Sequence, residues 1–226
     1  MKWYLGIDDT SRCPVIGSLF IAGVLANERT IKMFRRAGVK DSKLLTKQKR
    51  YKLLPLILQH SYVSIRQILP KEISNEYKDT DGNVLNLNDK EMVCYLGIAR
   101  SNEGHYDMVF VDNFDRNREA FLKRAQKFYN TDWSKWVIEH NADEKYTIVG
   151  AASIVAKCMS DIEMDSLREQ YDLGSGNPND SKTEAFILKH IKHKRCSNGC
   201  QWIRWNWYTI GRLKKEVENE KENEKD

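Results

Sequence analysis

Apolar and polar residues follow two different spacings along this chain. Alternating or continuous apolar stretches predict five β-strands, at residues 3–8, 17–25, 61–69, 106–111 and 135–139. Apolar residues at helical spacing predict helices at residues 28–38, 47–60, 70–77, 87–99, 116–129, 148–171 and 181–193, followed by a polar C-terminal helix. Gly38 marks a helix end, Thr46 a helix cap, and Asn88 or Asp89 lies near the cap of the fourth helix. Strands in series, then alternating with helices, predict an α/β domain with helices packed on a mixed sheet.

Length and composition indicate a globular protein. With 226 residues, of which 41% are hydrophobic, the chain can bury a sizeable core. Its apolar runs fall short of the ~18 residues of a membrane span. Its N-terminus leads into a strand without a signal-peptide pattern, so we expect a cytoplasmic protein. Five irregularly spaced cysteines fit reduced thiols better than a disulfide framework.

Charge is distributed unevenly along the chain. The formal net charge is +5, but residues 216–226 contain six acids and two lysines and carry −4, which leaves +9 on residues 1–215. A basic body of this kind suits a phosphate-rich partner, although basic proteins that bind no nucleic acid are common. The composition of residues 216–226 predicts a disordered, solvated tail.

Carboxylates end two of the predicted strands, and another occurs on a long helix. Asp8 and Asp9 end the first strand, Asp112 ends the fourth, and Asp161 shares a face of an alanine-rich helix with Lys157. If the two strands are neighbours, the four carboxylates can meet and hold two divalent cations ~4 Å apart, an arrangement that cleaves phosphodiesters. Oxygen ligands suit Mg²⁺ or Mn²⁺. The alternative for the aspartate pair is an ordinary loop start or helix cap.

Short motifs occur in the chain in a fixed order. They are GIDDTSRCPVIG at 6–17, VKDSKL at 39–44, FVD at 110–112, HNADEKY at 140–146 with AASIVAK at 151–157 and Asp161, GSGNPND at 174–180, and RWNWYT at 204–209. In this order they resemble the motifs of the ribonuclease HII family, particularly its archaeal and eukaryotic branch, over residues 4–213. That family opens with GIDEAGRGPVIG and carries GSGYPSD and RxSWxT at the last two positions.

The resemblance implies a ribonuclease H-like fold and an endonuclease that cuts the RNA strand of an RNA·DNA hybrid. Ribonucleotides embedded in duplex DNA are an implied further substrate, and the product ends are 3′-hydroxyl and 5′-phosphate. The implied cofactors are two divalent cations, Mg²⁺ or Mn²⁺, at four catalytic, metal-binding carboxylates: Asp8, Asp9, Asp112 and Asp161. The implied substrate-binding positions are Ser11, Arg12 and Cys13 beside the ribose 2′-hydroxyl, Lys43 at a backbone phosphate, and Lys157 and Asn177.

The chain departs from the family pattern at four positions in or next to the expected site. Asp9 replaces a glutamate, so its carboxylate retreats by about 1.5 Å, more than metal–oxygen distances tolerate without an adjustment. Ser11 and Cys13 replace glycines, and because positive φ is uncommon outside glycine we expect a different path for the turn. Asn177 replaces a tyrosine that packs on the sugar. We therefore expect hydrolysis to survive and discrimination at a single embedded ribonucleotide to weaken.

Three segments make up the predicted organisation. A ribonuclease H-like catalytic domain covers residues 1–175, a smaller helical segment at 176–215 helps to grip the duplex, and the charged tail covers 216–226. We expect a monomer. Two other functions fit the same residues: a metal nuclease with altered substrate choice, and a catalytically silent module that binds hybrids without cutting them. A need for the 2′-hydroxyl discriminates the first, and salt-sensitive binding without product the second.

Two clusters near the C-terminus allow more than one interpretation. The first could bind zinc, although a solvated basic face is favoured because the spacing matches no common zinc module; it comprises His190, His193, Cys196 and Cys200. The second could stack on bases, although docking of the last helix through alternate residues of a short strand is favoured; it comprises Trp202, Trp205 and Trp207.

Overall fold

A computed structural model describes residues 1–192 and 199–223 of the chain. Its five strands are β1 (Trp3–Thr10), β2 (Leu19–Asn27), β3 (Tyr62–Ile68), β4 (Met108–Asp112) and β5 (Trp136–Glu139). They form one sheet in the order β3-β2-β1-β4-β5, in which β1 pairs antiparallel with β2 and parallel with β4. All five predicted strands are present, and the predicted mixed sheet flanked by helices is confirmed.

The helices of the described residues follow the predicted order, with one additional turn of helix, α6. They are α1 (Glu28–Ala37), α2 (Lys47–His60), α3 (Pro70–Ser74), α4 (Leu87–Ser101), α5 (Arg118–Ala125), α6 (Ala142–Lys145), α7 (Thr147–Gln170), α8 (Ser181–Lys192) and α9 (Tyr208–Asn223). Thr46 caps α2, and Gly38 follows the end of α1 with a φ of 88°. The cap of α4 is Asn86, and Asp89 lies near it as predicted, because Asn86 and Asp89 satisfy each other's backbone N–H groups.

The side chains of β1 alternate between two cores. Leu5 and Ile7 are fully buried in the core beneath α4. Gly6 lies on the opposite face, where a Cβ atom would come within 2.4 Å of the Ile148 carbonyl oxygen at the start of α7. Since a side chain of any size would push the helix away, glycine is what lets α7 rest on the strand. Asp8 is the next residue on this face, so the close contact places α7 directly over it.

The C-terminal part of the chain packs on the turn between β1 and β2 through a third core. The apolar side chains around Val15 and Ile16 come from α7 and from later residues: Leu167, Leu173, Phe186, Ile187, Ile203, Ile210 and Leu213. The backbones of Ile16 and Ile203 form an isolated antiparallel bridge. The short strand predicted for the tryptophans is not formed, because Trp202 ends a 3₁₀ turn and Trp205 and Trp207 lie in the loop before α9.

Residues 216–223 lie in α9 rather than in a disordered tail. The physical reason is an apolar face that continues past residue 215, since Val217 is buried in line with Ile210 and Leu213 at helical spacing. Residues 224–226 lie outside the described part of the chain.

Cysteine chemistry also differs from the prediction at one position. Cys13, Cys94 and Cys158 are free thiols, but Cys200 is disulfide-bonded, so the expectation of reduced thiols is wrong there. Among the described helices, none combines the length and the apolar character that crossing a membrane requires.

Candidate active site

Asp8 and Asp9 leave β1 on opposite faces of the sheet, as the alternation of strand side chains predicts. Asp8 is buried beneath α7. Asp9 lies on the α4 face, where Tyr95 Oη donates a hydrogen bond to Asp9 Oδ1 at 3.0 Å. The backbone N–H of Asp9 donates to Asp8 Oδ1 at 2.8 Å. The strand end therefore holds two adjacent carboxylates apart while fixing each of them.

Negative charge is concentrated around Asp8. Burial raises the pKa of Asp8 well above its usual range, and repulsion from Asp9, Asp112 and Asp143 raises it further. The Ser153 hydroxyl opposes this shift only in part. A shift in this direction means that burial and the neighbouring negative charges disfavour the charged form of Asp8. These three carboxylates, Asp9, Asp112 and Asp143, are therefore the acidic neighbours of Asp8.

The parallel pairing of β1 and β4 positions Asp112. The register pairs Ile7 with Val111, so Asp112 comes level with Asp8 at the carboxyl ends of two neighbouring strands. The backbone N–H of Ala142 donates to Asp112 Oδ1 at 2.8 Å. Burial raises the pKa of Asp112, and this hydrogen bond offsets only part of the rise. The predicted meeting of the two strand ends is thus observed.

The fourth carboxylate of this cluster is Asp143 on α6. It is 3% exposed, and burial, the interaction with Asp41 and the charge of Asp112 raise the pKa of Asp143 to about 7. The Nζ atom of Lys43 lies 4.0 Å from Asp143 Oδ2. Sequence reasoning missed Asp143, and the available signal was the HNADEKY motif at 140–146 that contains it.

Asp161, the fourth ligand expected from the sequence, is not brought into the cluster. Its carboxylate lies 2.6 Å from Arg50 Nη2 and 2.7 Å from Lys157 Nζ. Burial opposes ionisation, but hydrogen bonds from Lys157 and Arg50 outweigh it and hold the pKa of Asp161 below its ordinary value. Ser153, which interacts with Asp8, lies eight residues before Asp161 on the same helix. This separation places Asp161 about 12 Å further along the helix axis than Ser153. Asp143 therefore replaces Asp161 in the candidate site.

The chemistry of the cluster suits a divalent cation. In the described part of the chain no three His, Cys, Asp or Glu side chains lie close enough together to hold a metal ion by themselves. The four carboxylates Asp8, Asp9, Asp112 and Asp143 are nonetheless hard oxygen donors, and three of them have raised pKa values because of burial. Mg²⁺ and its analogues are commonly held by few carboxylates plus water and substrate phosphate. The donor set fits such an ion.

The turn after β1 keeps a backbone conformation that favours glycine. Ser11 has a φ of 68°, so the expectation that serine would avoid positive φ here is wrong. Its Oγ atom lies 2.6 Å from Ser160 Oγ on α7, which provides a local hydrogen bond for the serine side chain. Cys13 is exposed and free.

Arg12 is tied back to α4 rather than extended towards solvent. Its Nη1 atom donates to Glu91 Oε2 at 2.6 Å and its Nη2 atom to Asn88 Oδ1 at 2.8 Å. The guanidinium also lies over the Phe114 ring, 5.3 Å from its centre. Glu91 has no exposed side-chain surface, so this pair fixes Arg12 firmly. What Arg12 presents to a ligand is mainly its backbone.

Two clefts meet at Ser11. The first, about 460 Å³, is lined by the carboxylates Asp8, Asp9 and Asp112 together with the turn 10–14 and Lys43. The second, about 200 Å³, is more enclosed and contains Lys157, Asp161 and Asn177. The predicted substrate-binding residues are thus divided between two adjoining clefts, with Ser11 common to both.

Comparison with known proteins identifies the family. A family model described as Ribonuclease HII matches residues 5–209. Ribonuclease HII of Methanococcus vannielii is 33% identical over 224 residues, which cover 97% of this chain and 88% of that relative. The chain belongs to the ribonuclease HII family.

Solved structures agree with this ribonuclease HII assignment. The crystal structure of ribonuclease H2 from Pyrococcus horikoshii superimposes with a TM-score of 0.80 at 28% identity and covers 96% of this chain and 99% of that chain. A structure of Bst-RNase HIII in complex with Mn²⁺ has a TM-score of 0.77 at 14% identity and covers 96% of this chain and 71% of that chain; it supports the fold alone. The protein is an endoribonuclease that cleaves RNA in RNA·DNA hybrids, and its family uses divalent metals.

The histidine–cysteine cluster finds no support as a zinc site in this ribonuclease HII. His190 Nδ1 hydrogen-bonds the Phe186 carbonyl oxygen at 2.7 Å, and its ring packs on Phe186 with 4.5 Å between centres. Cys200 is disulfide-bonded and therefore cannot serve as a thiolate ligand. His193 and Cys196 lie outside the described residues.

Proposed function

We propose that this ribonuclease HII holds two divalent cations, Mg²⁺ or Mn²⁺, with four carboxylates: Asp8, Asp9, Asp112 and Asp143. The observation that best supports this is Asp8, which is 3% exposed and faces three other carboxylates. When bound, the cations supply an activated water and stabilise the departing 3′-oxygen, which gives 3′-hydroxyl and 5′-phosphate ends. Asp8 and Asp112 hold the ions from two neighbouring strand ends, while Tyr95 fixes the shorter Asp9 by its hydrogen bond.

Lys43 binds a backbone phosphate at the edge of this cluster. Its side chain is 80% exposed, and its Nζ atom lies 4.0 Å from Asp143 Oδ2. The ammonium group is therefore both next to the carboxylates and accessible to a ligand. Burial lowers its pKa, but the carboxylates of Asp143 and Asp41 raise it by more, and the net pKa of Lys43 is raised. Lys43 therefore stays protonated at neutral pH and can neutralise a phosphate next to the metal-binding carboxylates.

The turn formed by Ser11, Arg12 and Cys13 reads the ribose 2′-hydroxyl through its backbone. The Arg12 side chain is engaged by Glu91, and the residues of the turn line the first cleft. The Cβ atoms of Ser11 and Cys13 occupy space that glycines would leave open. Cleavage at a single ribonucleotide in duplex DNA is therefore weaker than cleavage of a continuous hybrid.

The second cleft and the C-terminal segment contact the duplex outside the cut site. Lys157 and Asn177 line this cleft together with Ser11, and the +9 charge of residues 1–215 favours phosphate contacts. Residues 176–215 grip the duplex next to the catalytic domain of residues 1–175. The protein acts as a monomer in the cytoplasm.

The test is cleavage of two end-labelled substrates, an RNA·DNA hybrid and a DNA duplex that carries one ribonucleotide, with Mg²⁺ and Mn²⁺ in parallel. We expect cutting with either metal, loss of cutting with EDTA, and loss of cutting in Asp112→Asn. The hybrid is expected to be the better substrate. Binding of both duplexes without product in either metal would instead indicate the catalytically silent module and would overturn the proposal.

A further inference from the structure

The turn between β1 and β2 is held by an arginine almost two hundred residues later in the chain. Arg204 is fully buried. Its Nη2 atom donates to the Ser11 carbonyl oxygen at 2.8 Å, its Nη1 atom to the Arg12 carbonyl at 3.0 Å, and its Nε atom to the Gly17 carbonyl at 2.8 Å. Because the guanidinium is planar and rigid, it fixes the separation between the two ends of the turn.

Neighbours of Arg204 hold the rest of the same turn. The Nε1 atom of Trp207 donates to the Cys13 carbonyl oxygen at 3.2 Å. The backbone N–H of Arg204 donates to the Val15 carbonyl at 2.9 Å, and the N–H of Gly17 donates to the Trp202 carbonyl at 2.9 Å. The RWNWYT motif at 204–209 thus supplies donors to the turn from several of its own atoms.

Among the described residues, Arg204 forms no ion pair that would explain its burial, although the charge of Glu163 favours its charged form. In the part of the chain that the structure describes, no carboxylate lies within 4.0 Å of it. Burial lowers the pKa of Arg204 to about 10. A buried charge is costly unless polar groups surround it, and here those groups are the carbonyls of the turn. The buried guanidinium of Arg204 is therefore directed at the turn.

Ser11 is where this support is needed. Its φ of 68° is a conformation that a residue with a Cβ atom adopts at a cost of about 1 kcal/mol. Such a conformation persists where the surrounding structure over-determines it. The hydrogen bond from Arg204 constrains the carbonyl of Ser11, and the hydrogen bond with the Ser160 hydroxyl constrains its side chain.

We propose that Arg204 and Trp207 are positioning residues that hold the turn at Ser11 and Cys13 in the shape that engages a ribose 2′-hydroxyl. This inference rests on the proposed function of the turn. The C-terminal segment then sets the selectivity for a single embedded ribonucleotide, in addition to any contact that it makes with the duplex. A displaced turn affects a lone ribonucleotide most, because a continuous hybrid offers a 2′-hydroxyl at every position of the RNA strand.

Two tryptophans of the same loop give a matched test. Trp207→Phe removes the indole N–H that reaches Cys13, and Trp205→Phe removes an equivalent N–H that donates to the Cys200 carbonyl at 3.2 Å, away from the turn. The readout is kcat/KM on the single-ribonucleotide duplex divided by kcat/KM on the hybrid. We expect Trp207→Phe to lower this ratio about threefold or more, and Trp205→Phe to change it by less than about twofold.

Arg204→Lys extends the test, because lysine keeps the positive charge but cannot donate to the three carbonyls from a rigid, planar group. We expect the ratio to fall about tenfold while the variant, if folded by its thermal transition, still cuts the hybrid. If Arg204→Lys does not fold, the tryptophan pair decides. A merely structural role would lower cleavage of both substrates together, and equal ratios in Trp207→Phe and Trp205→Phe would overturn the inference. Failure of the unmodified protein to cut either substrate would overturn the proposed function and this inference with it.

Discussion

Asp161 on α7 accepts a hydrogen bond from Arg50 on α2, with 2.6 Å between Oδ2 and Nη2. Arg50 is itself buried and donates from Nη1 to the carbonyl oxygens of Ser42 at 3.1 Å and Leu45 at 2.7 Å. These carbonyls flank Lys43. Asp161 therefore supports the turn that contains Lys43 through Arg50, and it lies apart from the four carboxylates of the candidate metal site.

Replacement of Asp161 should lower the stability of the protein. Asp161→Asn leaves the Arg50 guanidinium buried without its anionic partner, so we expect the free energy of unfolding to fall by about 2 kcal/mol. Urea unfolding measures this change. The matched control is Asp165→Asn on the same helix, whose partner Lys47 and own side chain are both more than 40% exposed; it should cost less than about 1 kcal/mol. Equal losses in the two variants would contradict the assignment.

The contribution of Asp161 should also depend on pH. The pKa of Asp161 is lowered in the folded protein from an ordinary value of 3.8. A lowered folded-state pKa gives stability that is fully present above 3.8 and is lost as pH falls through the folded value. The difference in stability between the unmodified protein and Asp161→Asn should therefore be constant near neutrality and shrink below pH 3.8. A difference that grows on acidification would have the wrong sign.

Gly6→Ala should disturb both the fold and the site. A Cβ atom at this position would lie 2.4 Å from the Ile148 carbonyl oxygen, so α7 must move away from β1 and from Asp8. We expect a loss of about 2 kcal/mol or more in the free energy of unfolding and a lower rate on the hybrid. The control is Gly97→Ala within α4, where the nearest atom would be Arg66 Nε at 3.9 Å. It should be neutral or slightly stabilising, because alanine favours helix.

Substitutions of Ser11 separate strain from hydrogen bonding. Ser11→Gly removes the cost of a positive φ but also the contact with Ser160 Oγ, so stability should change by less than about 1 kcal/mol. Ser11→Ala keeps the Cβ atom, loses the hydrogen bond and should be destabilised by about 1 kcal/mol. Cleavage at a single ribonucleotide, relative to the hybrid, should rise in Ser11→Gly alone. An equal rise in Ser11→Ala would mean that the hydroxyl of Ser11, and not its Cβ atom, limits discrimination.

Local patterns were sufficient for the sheet and for three of the four clustered carboxylates. Alternation placed all five strands, and the rule that neighbouring strand ends meet brought Asp112 to Asp8. Helical spacing, in contrast, assigned Asp161 to a face of α7 but carries no information about distance along the helix axis. The pairing with Arg50 depends on how α2 packs on α7, which no local pattern of α7 reveals.

The turn at Ser11 illustrates a second limit of sequence reasoning. Residue preferences argue against positive φ for serine, yet the conformation is fixed by Arg204, which is distant in sequence. The extended apolar face of α9 likewise outweighs the acidic composition of residues 216–223, because Val217 is buried in line with Ile210 and Leu213. In both cases tertiary contacts override a local preference that is correct on average.

The carboxylate assignment is tested most directly by the single-turnover rate of hybrid cleavage in Asp143→Asn and Asp161→Asn. Asp112→Asn is the reference, and urea titration confirms that the variants have equal folded fractions. Asp143 faces the buried cluster and Asp161 is paired with two cations. We expect the rate to fall at least about 100-fold in both Asp143→Asn and Asp112→Asn, and the rate of Asp161→Asn to stay within about tenfold of that of the unmodified protein. Loss of cleavage in Asp161→Asn with near-normal cleavage in Asp143→Asn would contradict the assignment.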